Sequence, residues 1–236
     1  NGLNKDNFIK GEDKFFHFIL LAKDAEGHRQ LRKLSTRAWQ NSFETARMTR
    51  VPTYYSDLEE IIGTNLGHVI ASTACIGGWL GQFILKNKDI FKRDEYLTID
   101  DCDTIKDWID YLCSIFGKKN FFLEMQPSHN PEQILVNDVI KWLSRTLYIP
   151  YIITTDSHYL KKEERSIHEA FLKSQDGDRE VMDFYASTYL MSTKEIHEYM
   201  DCYLGAEAVS EGILNTKLIY DMCEDYDLTH PLHIPY

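Results

Sequence analysis

Hydrophobic residues follow two rhythms along this chain. Short runs rich in β-branched and aromatic residues fall at 15–22, 68–72, 121–126, 151–155 and 188–191, and runs of this length and make-up read as strands. Spacing of three to four residues between apolar positions predicts helices over 26–38, 55–62, 79–86, 104–116, 131–147, 161–173, 193–200 and 206–223. Start signals reinforce several of them. Asp101 and Asp103 precede one, Ser192-Thr193 with Glu195 announces another, and Pro131 opens a helix whose apolar face is Ile134, Leu135, Val139, Ile140 and Leu143. Strands alternating with helices predict parallel βα units and an α/β fold. No repeat, low-complexity tract or evident linker interrupts the pattern. One domain over 1–236 is therefore the expectation, with 229–236 as an extended exit strand.

The most informative stretch is Ile149-Pro150-Tyr151-Ile152-Ile153-Thr154-Thr155-Asp156-Ser157-His158-Tyr159-Leu160. Side chains two apart on a strand share a face, so Asp156 and His158 are expected to face one point at a strand-to-helix junction, where α/β folds keep their chemistry. This pair is either a metal site or a loop hydrogen-bond pair. His17 lies within an apolar strand, as a core imidazole or a ligand. Cys75 follows another strand beside Gly77 and Gly78, as a small buried hydrophobe or a ligand.

Composition narrows the classes. With 43% hydrophobic and 13% aromatic residues the chain has ample material for a core. No stretch approaches the roughly 18 apolar residues of a membrane span, and a cytoplasmic protein without membrane partners is expected. The 5 cysteines have no CxxC pair, which predicts reduced thiols. A formal charge of −11 argues against broad electrostatic capture of DNA. Arg29, Arg32, Lys33 and Arg37 share one helical side, with Arg47 and Arg50 nearby; they form a solvated basic face or a local phosphate contact.

The segments HFILLAKDAEGHRQLRKLS, ASTACIGG, FFLEMQPSHNPEQ, IPYIITTDSHYL, HEAFLKSQDGD and STYLMSTKEI follow one another in this order. Together they resemble the PHP (polymerase and histidinol phosphatase) domain of the bacterial or phage DNA polymerase III alpha subunit, over residues 17–236. The resemblance implies a distorted, TIM-barrel-like (β/α)7 barrel with a metal cluster at its strand ends. It implies His17, Cys75, Asp156 and His158 as metal ligands, suited to zinc and also admitting manganese or iron. Glu124 and His168 match further family positions, Glu124 as a residue lining the site or paired with a neighbouring cation, His168 as a further site-lining position or a packing or supporting residue.

The family's opening His-x-His segment, its following Asp and His, and a Glu before the first strand have no match in these residues, and would lie upstream of Asn1 together with the N-terminal strands. The resemblance therefore implies a catalytically incomplete chain that binds divalent metal weakly or not at all. Three functions follow as expectations. The first is the PHP portion of a replicative DNA polymerase, itself a nucleotidyltransferase, carrying a metal-dependent 3′-to-5′ proofreading exonuclease. The second is a scaffold without that chemistry. The third is a free-standing phosphoesterase, a hydrolase of small phosphate monoesters. The implied partners are DNA, through the rest of the polymerase, and replisome subunits.

Overall fold

The computed structural model describes residues 15–45, 48–91, 102–176 and 183–229. In chain order its elements are β1 (Ile19–Ala22), α1 (Ala25–Gln40), β2 (Phe43–Glu44), β3 (Thr49–Arg50), α2 (Tyr55–Ile61), β4 (Val69–Ser72), α3 (Trp79–Lys86), α4 (Lys88–Phe91), α5 (Asp103–Phe116), β5 (Phe121–Met125), α6 (Pro131–Leu147), β6 (Tyr151–Ile153), α7 (Arg165–Asp176), α8 (Thr193–Leu204) and α9 (Ala206–Met222). Short 3₁₀ turns lie at Gly63–Asn65, Lys118–Asn120, Lys162–Glu164 and Asp183–Ser187. These elements gather into two compact units. The first takes the described parts of Asn1–Ser72, Asp107–Phe121 and Leu218–Tyr236; the second takes those of Thr73–Lys106 and Phe122–Lys217.

In the first unit β1 and β4 pair antiparallel, with Ala22 opposite Val69 and Ile19 opposite Ser72, where the alternating pattern predicts parallel strands. The connection explains the difference. Lys23 N–H, just after β1, donates to the His68 carbonyl, just before β4, at 2.9 Å. The excursion through α1 and α2 thus leaves and returns at the same end of the ladder, whereas a parallel pair needs a crossover to the opposite end. Asp24 caps α1 by accepting from Gly27 N–H at 2.8 Å. The interior holds Ile62, Val69, Ile70, Ile109, Leu112, Phe116 and Phe121, all at most 1% exposed. Phe18 packs on Phe116 with centroids 5.9 Å apart, and Trp108 Nε1 donates to the Tyr55 hydroxyl at 2.6 Å.

In the second unit β5 and β6 form the expected parallel pair, joined through α6, with Leu123 opposite Tyr151. β5 is buried along its whole length, which is why its sequence is a continuous apolar run broken by one Glu. Asn130 Oδ1 accepts from Glu132 N–H at 2.8 Å and Pro131 fills the first turn of α6. Val136, Val139, Ile140 and Leu143 then form its buried stripe. Ser192 and Glu195 cap α8 reciprocally.

The strand expected at 188–191 is reduced to one parallel bridge between Tyr189 and Tyr159. Its partner segment turns into the 3₁₀ turn Lys162–Glu164 too soon to extend a ladder. The hairpin β2–β3 was not legible, since strands of two residues fall below any periodic signal. The fold is mixed α/β and helix-rich with a parallel β5–β6 pair. Six strands are present among the described residues, fewer than the seven of the expected barrel. Of the expected exit strand, Thr229 is non-strand, and 230–236 lie outside the described residues, as do Asp101 and Arg47. No helix among the described residues is long and apolar enough to cross a membrane.

Candidate functional site

The chain's candidate ligands in the second unit sit where strands end. Just past β4, Ala74 takes a left-handed φ of 59° and Cys75 follows in a turn closed by Gly78 N–H on the Cys75 carbonyl at 2.7 Å. Just past β6, Asp156 takes φ 43°, a region that costs a non-glycine residue of order 1 kcal/mol. Two strained exits bring two chemically apt groups near each other, close enough for the Asp156 carboxylate to act on the Cys75 thiol. Burial first, and then the negative charge of Asp156, push this thiol up to about 11, with Glu124 adding to the effect.

Glu124 points from the middle of β5 and is 3% exposed. Its Oε1 accepts from Thr154 Oγ1 at 2.6 Å and from Gln126 Nε2 at 3.2 Å, and its backbone N–H donates to Thr73 Oγ1 at 2.9 Å. A buried carboxylate is tolerable only with such partners. Thr73, Thr154 and Gln126 are thus functional neighbours that the sequence reading missed. The only signal for them was position: each is a polar residue directly at an apolar strand's end.

His158 goes a different way. Strand geometry stops at Ile153, and Asp156 is itself left-handed, so the two-residue alternation expected to align Asp156 with His158 is not kept. The His158 ring nitrogen Nδ1 lies 2.6 Å from the Asp156 backbone carbonyl, which fixes Nδ1–H and leaves Nε2 as the acceptor nitrogen. Its ring meets His168 and Tyr185 edge-on, at 5.5 and 5.3 Å between centroids. His168 is 8% exposed on α7, and burial, with the nearby His158, holds its imidazole below the ordinary value. His17 lies in the first unit, exposed, at a lone bridge residue ahead of β1.

Among the described residues no three His, Cys, Asp or Glu side chains gather closely enough to hold a metal ion. Thiol, carboxylate and imidazole are the right chemistry for zinc. Even so, Glu124 Oε1 is occupied by two donors. The donor set fits a metal in kind but not in arrangement.

The basic face of α1 is partly neutralised. Arg29 pairs with Glu26, and Arg37 makes two 2.8 Å bonds to Glu60 with Asp57 beyond at 3.4 Å. Arg32 and Lys33 line, with Glu26, Arg29, Arg37 and Glu60, a groove of about 600 Å³.

Comparison with known proteins bears on this geometry. The chain is 42% identical over 98% of its length to the probable DNA polymerase YorL of Bacillus subtilis strain 168, and equally to the DNA-directed DNA polymerase of Bacillus phage SPbeta. It is 32% identical over 91% of its length to the DNA polymerase III subunit alpha of Thermus aquaticus. The chain spans only 18%, 18% and 16% of these relatives. The PHP domain family is matched over residues 2–128, and on that match, with the similarity continuing along nearly the whole chain, this protein belongs to the PHP domain family.

Proposed function

We propose that this chain is the PHP domain of a DNA polymerase III alpha-type replicative polymerase, a single domain over 1–236 of the distorted (β/α)7 type. Its role in DNA replication is that of a scaffold in a cytoplasmic replisome, meeting DNA through the rest of the polymerase. Its kinship to polymerases over nearly the whole chain supports the setting. The observation that carries the scaffold reading is the pair of hydrogen bonds from Thr154 Oγ1 and Gln126 Nε2 to Glu124 Oε1, which give that buried carboxylate a structural task.

One observation favours a second reading, a metal-dependent 3′-to-5′ exonuclease whose ligands include His17, Cys75, Asp156 and His158. The backbone carbonyl that holds His158 Nδ1 presents Nε2 in the tautomer a zinc or manganese ion requires. In that case the bound ion would supply an activated water for phosphodiester hydrolysis. A phosphoesterase acting on small monoesters has no feature of its own in the described residues. Equilibrium dialysis against zinc and manganese, followed by elemental analysis, separates the readings. The scaffold predicts sub-stoichiometric metal, unchanged by Asp156→Ala and His158→Ala. Stoichiometric metal lost in both variants, with release of nucleotides from a labelled primer end, overturns it.

A further inference from the structure

Three polar side chains on α8 and α9 form a hydrogen-bonded line that a replication scaffold does not use. His197 and Asp201 lie one turn apart on α8, with Asp201 Oδ1 2.7 Å from His197 Nδ1. On the other side of the ring, Nε2 is 3.4 Å from Ser210 Oγ on α9. A single residue, Gly205 with φ 83°, ends α8 and lets α9 begin at once in a new direction, which brings Ser210 to His197.

The order of groups is what matters. A carboxylate on Nδ1 fixes the Nδ1–H tautomer, so the Nε2 lone pair is turned toward the hydroxyl. That is the arrangement of nucleophile, base and orienting acid that activates serine on unrelated folds, and it is recognised by geometry rather than by order in the chain. The 3.4 Å separation is loose, as such bonds often are before substrate arrives. Ser210 is partly exposed and lines an open groove of about 530 Å³, where Ala206 and Leu214 supply apolar surface and Glu207 and Glu211 supply negative charge.

We propose that Ser210 is a nucleophile toward small uncharged or cationic carboxylic esters, with His197 as general base and Asp201 as a positioning residue. Ser210 Oγ bonds to the ester carbonyl carbon as its proton passes to His197 Nε2. The carbon–alkoxide bond then breaks and the leaving oxygen takes that proton, giving an alcohol and an acyl-serine. Water attacks the acyl-serine, passes a proton through the same nitrogen to Oγ, and releases the carboxylic acid. The overall change is ester plus water to acid plus alcohol.

The test uses a fluorophosphonate probe with peptide mass spectrometry, and p-nitrophenyl acetate with stopped-flow absorbance. The expected result is an adduct on Ser210 and an acylation burst, both abolished in Ser210→Ala. Loss of the general base in His197→Gln slows the burst about 100-fold. In Asp201→Asn the acylation rate falls with KM for p-nitrophenyl acetate unchanged, and Asp201→Glu restores it, a split that a merely structural Asp201 would not give. The wild-type adduct decides independently of how the variants fold. Labelling spread over other serines, or undiminished at Ser210 in a folded His197→Gln, overturns the proposal.

Discussion

Thr154 holds Glu124 in place: its hydroxyl donates to Oε1 at 2.6 Å from the segment that leaves β6, while the carboxylate rises from the middle of β5. With Gln126 bonded to the same oxygen at 3.2 Å, removing this side chain strands two donors in a buried place. Glu124→Ala is expected to cost about 3 kcal/mol and Glu124→Gln about 1 kcal/mol, read as shifts in urea-unfolding midpoints at constant slope. Equal midpoints for wild type and Glu124→Ala would show that the carboxylate has no structural task.

Gly27 belongs to a helix, where glycine is ordinarily a weak choice. Here it is required by proximity, because a Cβ would meet the His68 carbonyl oxygen at 2.0 Å. Backbone cannot yield as a flexible side chain does, so Gly27→Ala is expected to cost about 3 kcal/mol. Gly67 is the control. It has φ +105°, but a methyl group there would meet nothing within 4 Å, so Gly67→Ala costs only backbone strain of about 1 kcal/mol. Thermal melts that rank the two the other way would contradict the close approach.

The Cys75 thiol, raised to about 11 from 9.0, predicts selective alkylation. Exposed Cys202 and Cys223 should react with iodoacetamide first, while near neutral pH Cys75 has about 100-fold less thiolate than an unperturbed thiol. Asp156→Asn removes a neighbouring negative charge and should accelerate Cys75 labelling. The same shift bears on stability. A folded value above the unfolded 9.0 means that the native chain holds this proton more tightly, so its contribution is full below about pH 9 and is lost as pH climbs through about 11. A labelling midpoint near 9 at Cys75 rejects this buried placement of the thiol beside Asp156.

Tyr151 fastens β6 to α9. Its hydroxyl donates to the Ala208 carbonyl at 2.7 Å and lies 3.0 Å from Glu211 Oε2, while its own carbonyl accepts from Asn215 Nδ2 at 2.8 Å. Tyr151→Phe and Asn215→Ala are each expected to cost about 1 kcal/mol. Because both act at one contact, the double variant should depart from the sum by at least about 0.5 kcal/mol. Hydrogen exchange at amides of α9 checks this, with faster opening in either variant.

Much of this molecule was legible because local signals agreed with tertiary need. Pro131 with its spaced Val, Ile and Leu residues gave α6 over its full length, and the burial of β5 and β6 appears as apolar runs, interrupted in β5 by Glu124. Direction was less visible. Nothing local distinguishes a β1 that pairs antiparallel from one that pairs parallel, since that depends on where a long excursion returns. At the candidate site, Asp156 was singled out by its place at a strand's end and Cys75 by the family resemblance. Their approach to each other was not legible, because it needs two left-handed backbone residues, Ala74 and Asp156, that a pattern of apolar positions does not encode. His158 and His168 came together through α7, in ring contacts that no spacing rule reaches.

The first unit draws on three separated stretches, closing only when Asp107–Phe121 and Leu218 onward join the opening residues. During synthesis, Phe18 must therefore wait for Phe116, and Lys23, whose carbonyl accepts from Glu224 N–H at 2.7 Å, must wait until α9 has left the ribosome. Any truncation made to isolate half of this chain, wherever the cut falls between those stretches, releases a fragment with its apolar interior open to water and to aggregation.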